Sequence, residues 1–455
     1  MSELALPEGW VSTKLGNYMY LKNGYAFKSA EYLPQDNKNI PLIRIGDIQD
    51  NTVSTASSVF VKANEQAESF VVNKGDLLIA MSGATTGKMG VYQESRKAYQ
   101  NQRVGNIKFV SQNLGSESFR NYLIQSLKQT IHDIAYGGAQ PNISAKAIEN
   151  IEITLPSLNE QEVISQILNQ YLTTVSQIQA RLDAIPKLIE KFRQSVLNDA
   201  FCGKLTQEWR TANNIEFDWK DIELGDVSRV NTGKTPLRKD SRYWENGTIP
   251  WLTSSVTGQS YCYEAKEYVT KVAVEENNLK LFPKGSLLIA MYGEGKTRGQ
   301  VTELMLEAAC NQACAVIEVD NELALTSFIK LKLIENYVET RKAASGGNQP
   351  NLNLSKVRAI RLDMPSIEEQ KEIVKQVNQL FAHSDQIEKS VAIAKARVDN
   401  LTQSILHQAF TGNLTKEWRE QNPELISGDN SAEALLAKIE AEKQGSSKKN
   451  LVRDR

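Results

Sequence analysis

Cysteine is scarce in this 455-residue chain, four in all and none at paired spacing, which argues against a disulfide framework and suits a reducing compartment. Histidine is scarcer: His132, His383 and His407 are the whole supply, and none stands at metal-ligand spacing from another ligand. No apolar run approaches the thickness of a bilayer. The longest, around Leu77 to Met81 and Leu287 to Tyr292, have the length of buried strands. Met1 to Trp10 carry no basic segment followed by an apolar core, so no secretory signal is expected and a cytoplasmic location is. Nor does one charge dominate, since 53 Lys and Arg stand against 54 Asp and Glu for a net charge of −1. Nucleic-acid binding is therefore not announced by composition, although a local basic cleft fits on a neutral molecule.

Catalytic motifs are missing as well. Gly83-Ala84-Thr85-Thr86-Gly87-Lys88 has three residues between its glycines where a phosphate loop needs four, and Met89 follows in place of Ser or Thr. Gly233-Lys234-Thr235 and Gly295-Lys296-Thr297 lack the upstream glycine. There is no Asn or Asp followed by Pro-Pro-aromatic, and no glycine-rich cofactor loop. Cys310 and Cys314 form a lone C-x-x-x-C that reads as two small buried thiols. The expectation is a chain that performs no chemistry itself.

What is present is a long internal repeat. QSVLNDAFCGKLTQEWR at 194–210 and QSILHQAFTGNLTKEWR at 403–419 agree at eleven of seventeen positions, 209 residues apart. The same offset pairs Trp10, Leu15 and Gly16 with Trp219, Leu224 and Gly225, and GGAQPN from Gly137 with GGNQPN from Gly346. One residue later in register, KGDLLIAMSG from Lys74 matches KGSLLIAMYG from Lys284 at eight of ten positions, and Asn101-Gln102 matches Asn311-Gln312. One unit is thus written twice, Trp10 to Arg210 and Trp219 to Arg419, far longer than a solenoid repeat.

Each unit has two unlike parts. The first holds short strand-like runs such as PLIRIGDI and VGNIKFV between Gly, Asn and Ser, with a helical stretch from Ser118 to Tyr136 and its counterpart around Thr326 to Lys342. The second opens on Ser157-Leu158-Asn159-Glu160 or Ser366-Ile367-Glu368-Glu369, the spacing of a capping box. Ile164, Leu168, Tyr171, Val175, Ile178, Leu182, Ile185, Ile189, Phe192 and Val196 then alternate in steps of four and three, a heptad seam. The second copy repeats it at Ile373, Val377, Leu380, Ser384, Ile387, Val391, Ala394, Val398, Leu401 and Ile405, where only Ser384 is polar. Gly203 and Gly412 suit the left-handed residue that closes a helix. Each helix should run about 44 residues, roughly 66 Å at 1.5 Å per residue, with a bend or break at Pro186. Because a globule separates them, the two helices are expected to pair antiparallel with one globule at each end.

In order and spacing, LLIAMSGATTGKMG, NQRVG from Asn101, GGAQPNIS, LPSLNEQ and FRQSVLNDAFCGKLTQEWR resemble the DNA-specificity subunits of type I restriction-modification systems. The resemblance covers Leu6 to Arg419 and both copies. It implies a mixed α/β fold with an internal pseudo-twofold repeat, two target-recognition globules and two long helices pairing as an antiparallel coiled coil. Residues 1–155 and 211–364 would be the globules, 156–210 and 365–420 the spacer helices, and 421–455 a tail that is frayed or docks on a partner. The implied partners are double-stranded DNA, two methyltransferase (modification) subunits and two motor-nuclease (restriction) subunits, with no membrane. S-adenosylmethionine, ATP and Mg2+ would belong to those partners, with no cofactor in this chain.

Unlike half-sites require side chains that diverge on a shared scaffold. Arg44-Ile45-Gly46-Asp47 stands opposite Thr253-Ser254-Ser255-Val256, and Ala84 to Lys88 opposite Glu294 to Arg298. Arg44, Thr85, Thr86, Lys88 and Arg103 are therefore candidate DNA contacts in the first copy, and Lys296, Thr297, Arg298 and Gln300 in the second. Arg238, Lys239 and Arg242, beside Tyr243 and Trp244, form a basic and aromatic loop suited to phosphate. Asn101 and Gln102, kept in both copies, read as scaffold, and the Gln-Pro-Asn runs at Gln140 and Gln349 as the exit into each helix. The competing reading is a coiled-coil adaptor that displays two protein-binding globules. Salt separates the two: DNA affinity measured by fluorescence anisotropy should fall steeply between about 50 and 200 mM salt, whereas an adaptor shows no DNA affinity at any salt.

Overall fold

The computed structural model describes residues 6–36, 38–49, 51–137, 141–292, 297–337 and 352–453. The chain divides into two compact units, residues 1–181 with 394–455, and residues 182–393. Each unit thus contains one globule, the start of one long helix and the end of the other. Among the described residues no helix is long and apolar enough to cross a membrane.

The first globule is built on a six-stranded sheet in the order Met19–Asn23, Val104–Phe109, Leu77–Ala80, Met89–Tyr92, Asn51–Val53, Ile48–Gln49. Leu77–Ala80 is buried at every residue, as its unbroken apolar run requires, and pairs antiparallel with Val104–Phe109, Leu77 opposite Ile107. A four-stranded sheet, in the order Val59–Val61, Ile40–Ile43, Ala98–Gln100, Val71–Val72, includes a parallel pairing of Ile40–Ile43 with Ala98–Gln100. Val11–Lys14 pairs antiparallel with Glu152–Leu155, so the globule's first and last strands meet where the long helix begins. The second globule repeats the plan. Its larger sheet runs Ser228–Thr232, Cys314–Val319, Leu287–Ala290, Val301–Leu304, Tyr261–Cys262. A smaller sheet runs Glu267–Val269, Ile249–Leu252, Ala309–Cys310, and Lys220–Glu223 pairs with Arg361–Met364.

The long helices are Leu158–Phe201 and Ile367–Phe410, 44 residues each. The first is not interrupted at Pro186. That proline is exposed, so the Leu182 carbonyl left without its amide partner can turn to water, and the flanking turns carry the helix through. Pairing is antiparallel within each unit. In the first, Glu160 reaches Thr415 and Gln179 reaches Asp399; in the second, Arg193 reaches Asp385 while Thr206 reaches Glu369. Only part of the heptad seam is covered. Ile164, Leu168, Val175, Ile189 and Val196 are buried, and so is Ser384, whose hydroxyl donates to the Leu380 carbonyl at 3.0 Å. Tyr171, Ile178, Phe192, Ile387 and Leu401 are exposed.

The helix starts depart from the expected capping box. Ser157 and Ser366 do cap, accepting from the amides of Glu160 and Glu369 at 3.2 and 3.3 Å. The Glu160 carboxylate, fully buried, is instead taken by Trp10 Nε1 at 2.9 Å, Thr415 Oγ1 at 2.6 Å and Arg419 at 2.6 Å. Arg419 also donates to the carbonyl of Gly412 at 2.7 Å. The second unit builds the same cluster: Glu369 accepts from Trp219 at 3.0 Å, Thr206 at 2.6 Å and Arg210, which donates also to the Gly203 carbonyl. Each copy's C-terminal LTxEWR segment therefore closes the helix start of the other copy. Gly203 and Gly412 lie at φ +77° and +76°, and a Cβ there would meet Phe217 at 2.3 Å and Pro7 at 2.4 Å, so both the turn and the close approach demand glycine.

Part of the tail packs on the first globule. Ile426, Ala432, Leu435 and Ile439 are buried, the last two in the first globule's core, and the helix Ala432–Arg453 is tied to that globule by Ser111 donating to Glu442. A buried charge that loses its counter-charge is costly. Glu160→Ala should lower the unfolding free energy by about 3–5 kcal/mol in urea denaturation. Adding Arg419→Met should restore part of the loss, because no buried charge is then left uncompensated.

Candidate nucleic-acid interface

Backbone hydrogen bonds gather three loops at one end of the first globule. Asn101 donates to the carbonyl of Ile43 at 3.0 Å and Met81 to that of Arg103 at 2.9 Å, while the Thr85 hydroxyl donates to Ile45 at 3.4 Å. The segment 44–47, the hairpin loop 82–88 and the turn 101–104 thus share one tip. Arg44, Thr85, Lys88 and Arg103 come together there, Arg103 exposed and the others half-buried. Arg44 Nε lies 3.9 Å from Asp47, whose carboxyl is pushed up by burial against the opposing pull of the Arg44 amide and guanidinium. Thr86 is a correction. It is buried, and its hydroxyl lies 2.6 Å from the Gly83 carbonyl and 3.3 Å from that of Pro141, so it braces the loop and does not face a ligand.

The second globule forms its tip through the same contacts. Asn311 donates to Leu252 at 2.9 Å and Met291 to Ala313 at 2.8 Å. The side chains differ: Thr253 stands where the first copy has Arg44, and Ala313 where it has Arg103. The tip presents exposed Lys234, Ser255 and Gln312, with Thr235 and Thr253 half-buried beside them. The Thr253 and Ser255 hydroxyls lie 2.8 Å apart, and Trp251 Nε1 anchors Lys234 through its carbonyl at 3.1 Å. Thr297 and Arg298 are half-buried on the neighbouring loop, whereas Lys296, Gln140 and Gln349 lie outside the described residues. Gln300 closes the second hairpin loop as Lys88 closes the first, its carbonyl accepting from Ala290 at 3.0 Å where that of Lys88 accepts from Ala80 at 2.8 Å, and it lines a groove of about 790 Å³ with Arg193, Asp385 and Glu388.

The basic and aromatic loop is internally paired. Arg238 forms a two-point pair with Glu267 at 2.6 and 3.0 Å, its guanidinium 4.0 Å from the centre of the Trp244 ring and 4.6 Å from that of Trp251. Arg242 is held by Asp240 at 2.7 Å and Glu276 at 3.4 Å. Hydrogen bonding to those carboxylates holds both guanidiniums more firmly protonated than usual. Two of the three expected phosphate ligands are thus held in exposed ion pairs, and Lys239 is exposed as well.

The turns of both tips share one frame. Asn101 accepts from the Val104 amide through its carbonyl at 2.9 Å and from the Arg103 amide through its side chain at 3.4 Å. Asn311 does the same with Cys314 at 3.3 Å and Ala313 at 3.1 Å. The asparagines are scaffold, as read from the sequence; Gln102 and Gln312 are not, because the turn turns them outward and leaves them exposed. No group of His, Cys, Asp and Glu fit to hold a metal occurs among the described residues.

The family model described as type I restriction modification DNA specificity domain matches twice, over residues 7–187 and 216–394. The chain is 31% identical to the type I restriction enzyme StySPI specificity subunit of Salmonella potsdam, over all of this chain and 99% of that one. The chain belongs to this family. It also shares a fold with a chain solved in work on assembly and conformational transition of the type I R-M system, with TM-score 0.69 and 17% identity over 90% of this chain and 99% of that one. The HsdS subunit of Thermoanaerobacter tengcongensis is a second such likeness, with TM-score 0.56 at the same identity and coverage. As in the sequence, each copy of the specificity domain here has its own tip.

Under the second tip lie the thiols of Cys310 and Cys314, both buried. Burial pushes Cys310 up to about 12 and Cys314 higher still, and shifts Cys262 upward too. At pH 8 a thiol of pKa about 12 is ionised in about one molecule in ten thousand. Iodoacetamide should therefore alkylate the exposed Cys202 alone in the folded chain and all four thiols in urea, counted by intact mass.

Proposed function

We propose that this type I specificity subunit reads a split DNA target, each globule contacting one half-site through the tip described above. The observation that carries this reading is one tip geometry built twice on the same backbone hydrogen bonds but furnished with different side chains. Arg44, Lys88 and Arg103 give the first tip cationic donors suited to guanine edges and phosphates. Lys234, Thr253, Ser255 and Gln312 give the second a largely neutral donor and acceptor set, so the two half-sites differ. The chain carries recognition and leaves bond-making to its partners.

Two modification subunits would bring S-adenosylmethionine and methylate adenine, and two restriction subunits would add ATP- and Mg2+-dependent translocation and cleavage. A pair of like partners is supported by a pair of like surfaces. Ile178 and Leu401 are exposed together in the first unit, and their repeat equivalents Ile387 and Phe192 in the second. Each unit thereby offers an apolar helical face of the kind a partner helix covers.

The test is a methylation map of host DNA with and without the gene. Loss of N6-methyladenine from one bipartite motif is the expected result, and Arg103→Ala should relax the sequence of one half only. An unchanged map with modification subunits expressed would refute the reading.

A further inference from the structure

Gln312 sits at the second position of the turn Asn311–Cys314, a backbone frame closed by two hydrogen bonds. Its side chain is exposed, yet its carboxamide is held: Thr235 Oγ1 lies 2.6 Å from Oε1. That distance suits an O–H···O hydrogen bond and is short for N–H···O, so the oxygen faces Thr235 and the Nε2 amide faces away. An unheld glutamine presents donor and acceptor in either order; this one presents them in a fixed order. Oε1 keeps a second lone pair beside two outward N–H donors. The first copy lacks the device, since Ala26 stands at the position of Thr235.

We infer that Gln312, positioned by Thr235, reads one adenine in the half-site of the second globule from the major groove. Nε2 donates to adenine N7 and the open lone pair of Oε1 accepts from the N6 amino group, the two-point pairing that glutamine makes with adenine and no other base. Thr235 is a positioning residue, acting by presenting the carboxamide in one orientation. The inference rests on the tips being the DNA faces and adds which residue reads which base.

The full chain, assembled with its modification subunits, is assayed for binding to duplexes in which each target base pair is varied singly. Gln312→Ala should reduce discrimination at one A·T pair of one half-site by about ten- to a hundredfold, with the other half-site and the melting temperature unchanged. Thr235→Val should lower discrimination at that same pair several-fold without touching other positions, and Thr235→Ser, which keeps the hydroxyl, should restore it. Gln312→Ala weakening all sequences equally, or none, would overturn the assignment while leaving the DNA-reading role intact. A wild-type complex with no sequence preference at all would overturn that role itself, and the assignment with it.

Discussion

A carboxylate with no solvent around it must be matched, and Glu160 and Glu369 impose that demand at the first turn of each long helix. Three donors answer it in each unit: an indole, a threonine hydroxyl and a guanidinium. The guanidinium also satisfies the carbonyl of the glycine that ends the opposite helix. One buried charge therefore fixes where one helix starts, where the other stops and how the globule's first residues return to both. The threonine and the arginine arrive from the other copy's C-terminal segment, and the indole from the start of the same copy, so the repeat is completed crosswise.

With the ends pinned in this way, the tips can vary. Backbone groups join the turn of each tip to its neighbours, Ile43 and Met81 in the first copy and Leu252 and Met291 in the second, so exchanging Arg44 for Thr253 or Arg103 for Ala313 alters the chemistry offered while those contacts are kept. Base readout depends on placing a few donors and acceptors on a rigid support, and phosphate contacts on charge. The two tips differ in what they offer, Arg44 and Arg103 in the first and Lys234 with hydroxyls and an amide in the second.

Much of the scaffold was legible because it is periodic or local. The 209-residue offset gave the duplication, the apolar spacing gave helices of 44 residues, and Gly203 and Gly412 marked their ends. What was not legible depends on partners far along the chain. Ser-x-x-Glu looked like a local capping box, but the acid is claimed by an arginine 259 residues away. Arg238 looked like a phosphate ligand because its partner Glu267 lies 29 positions further on, whereas the nearer partner of Arg242, Asp240, stands only two positions away and was passed over. Heptad spacing showed which residues are apolar and not which are covered, so Tyr171 and Ile178 were read into a seam that leaves them exposed. Identity between copies hid Gln312, because the asparagine that shapes the turn and the glutamine it displays are equally retained.

The crosswise closure also sets the order in which the protein is finished as it is made. Trp10 and Glu160 leave the ribosome early, but Arg419 follows Glu160 by 259 residues. At about 5–20 residues per second, the first globule waits roughly 13 to 50 seconds with its buried acid lacking a counter-charge. The second globule has Arg210 ready before Glu369 is synthesised and closes without delay. A chain cut short after the second globule therefore leaves the first one open, and incomplete synthesis is exposed at the end of the molecule that was made first.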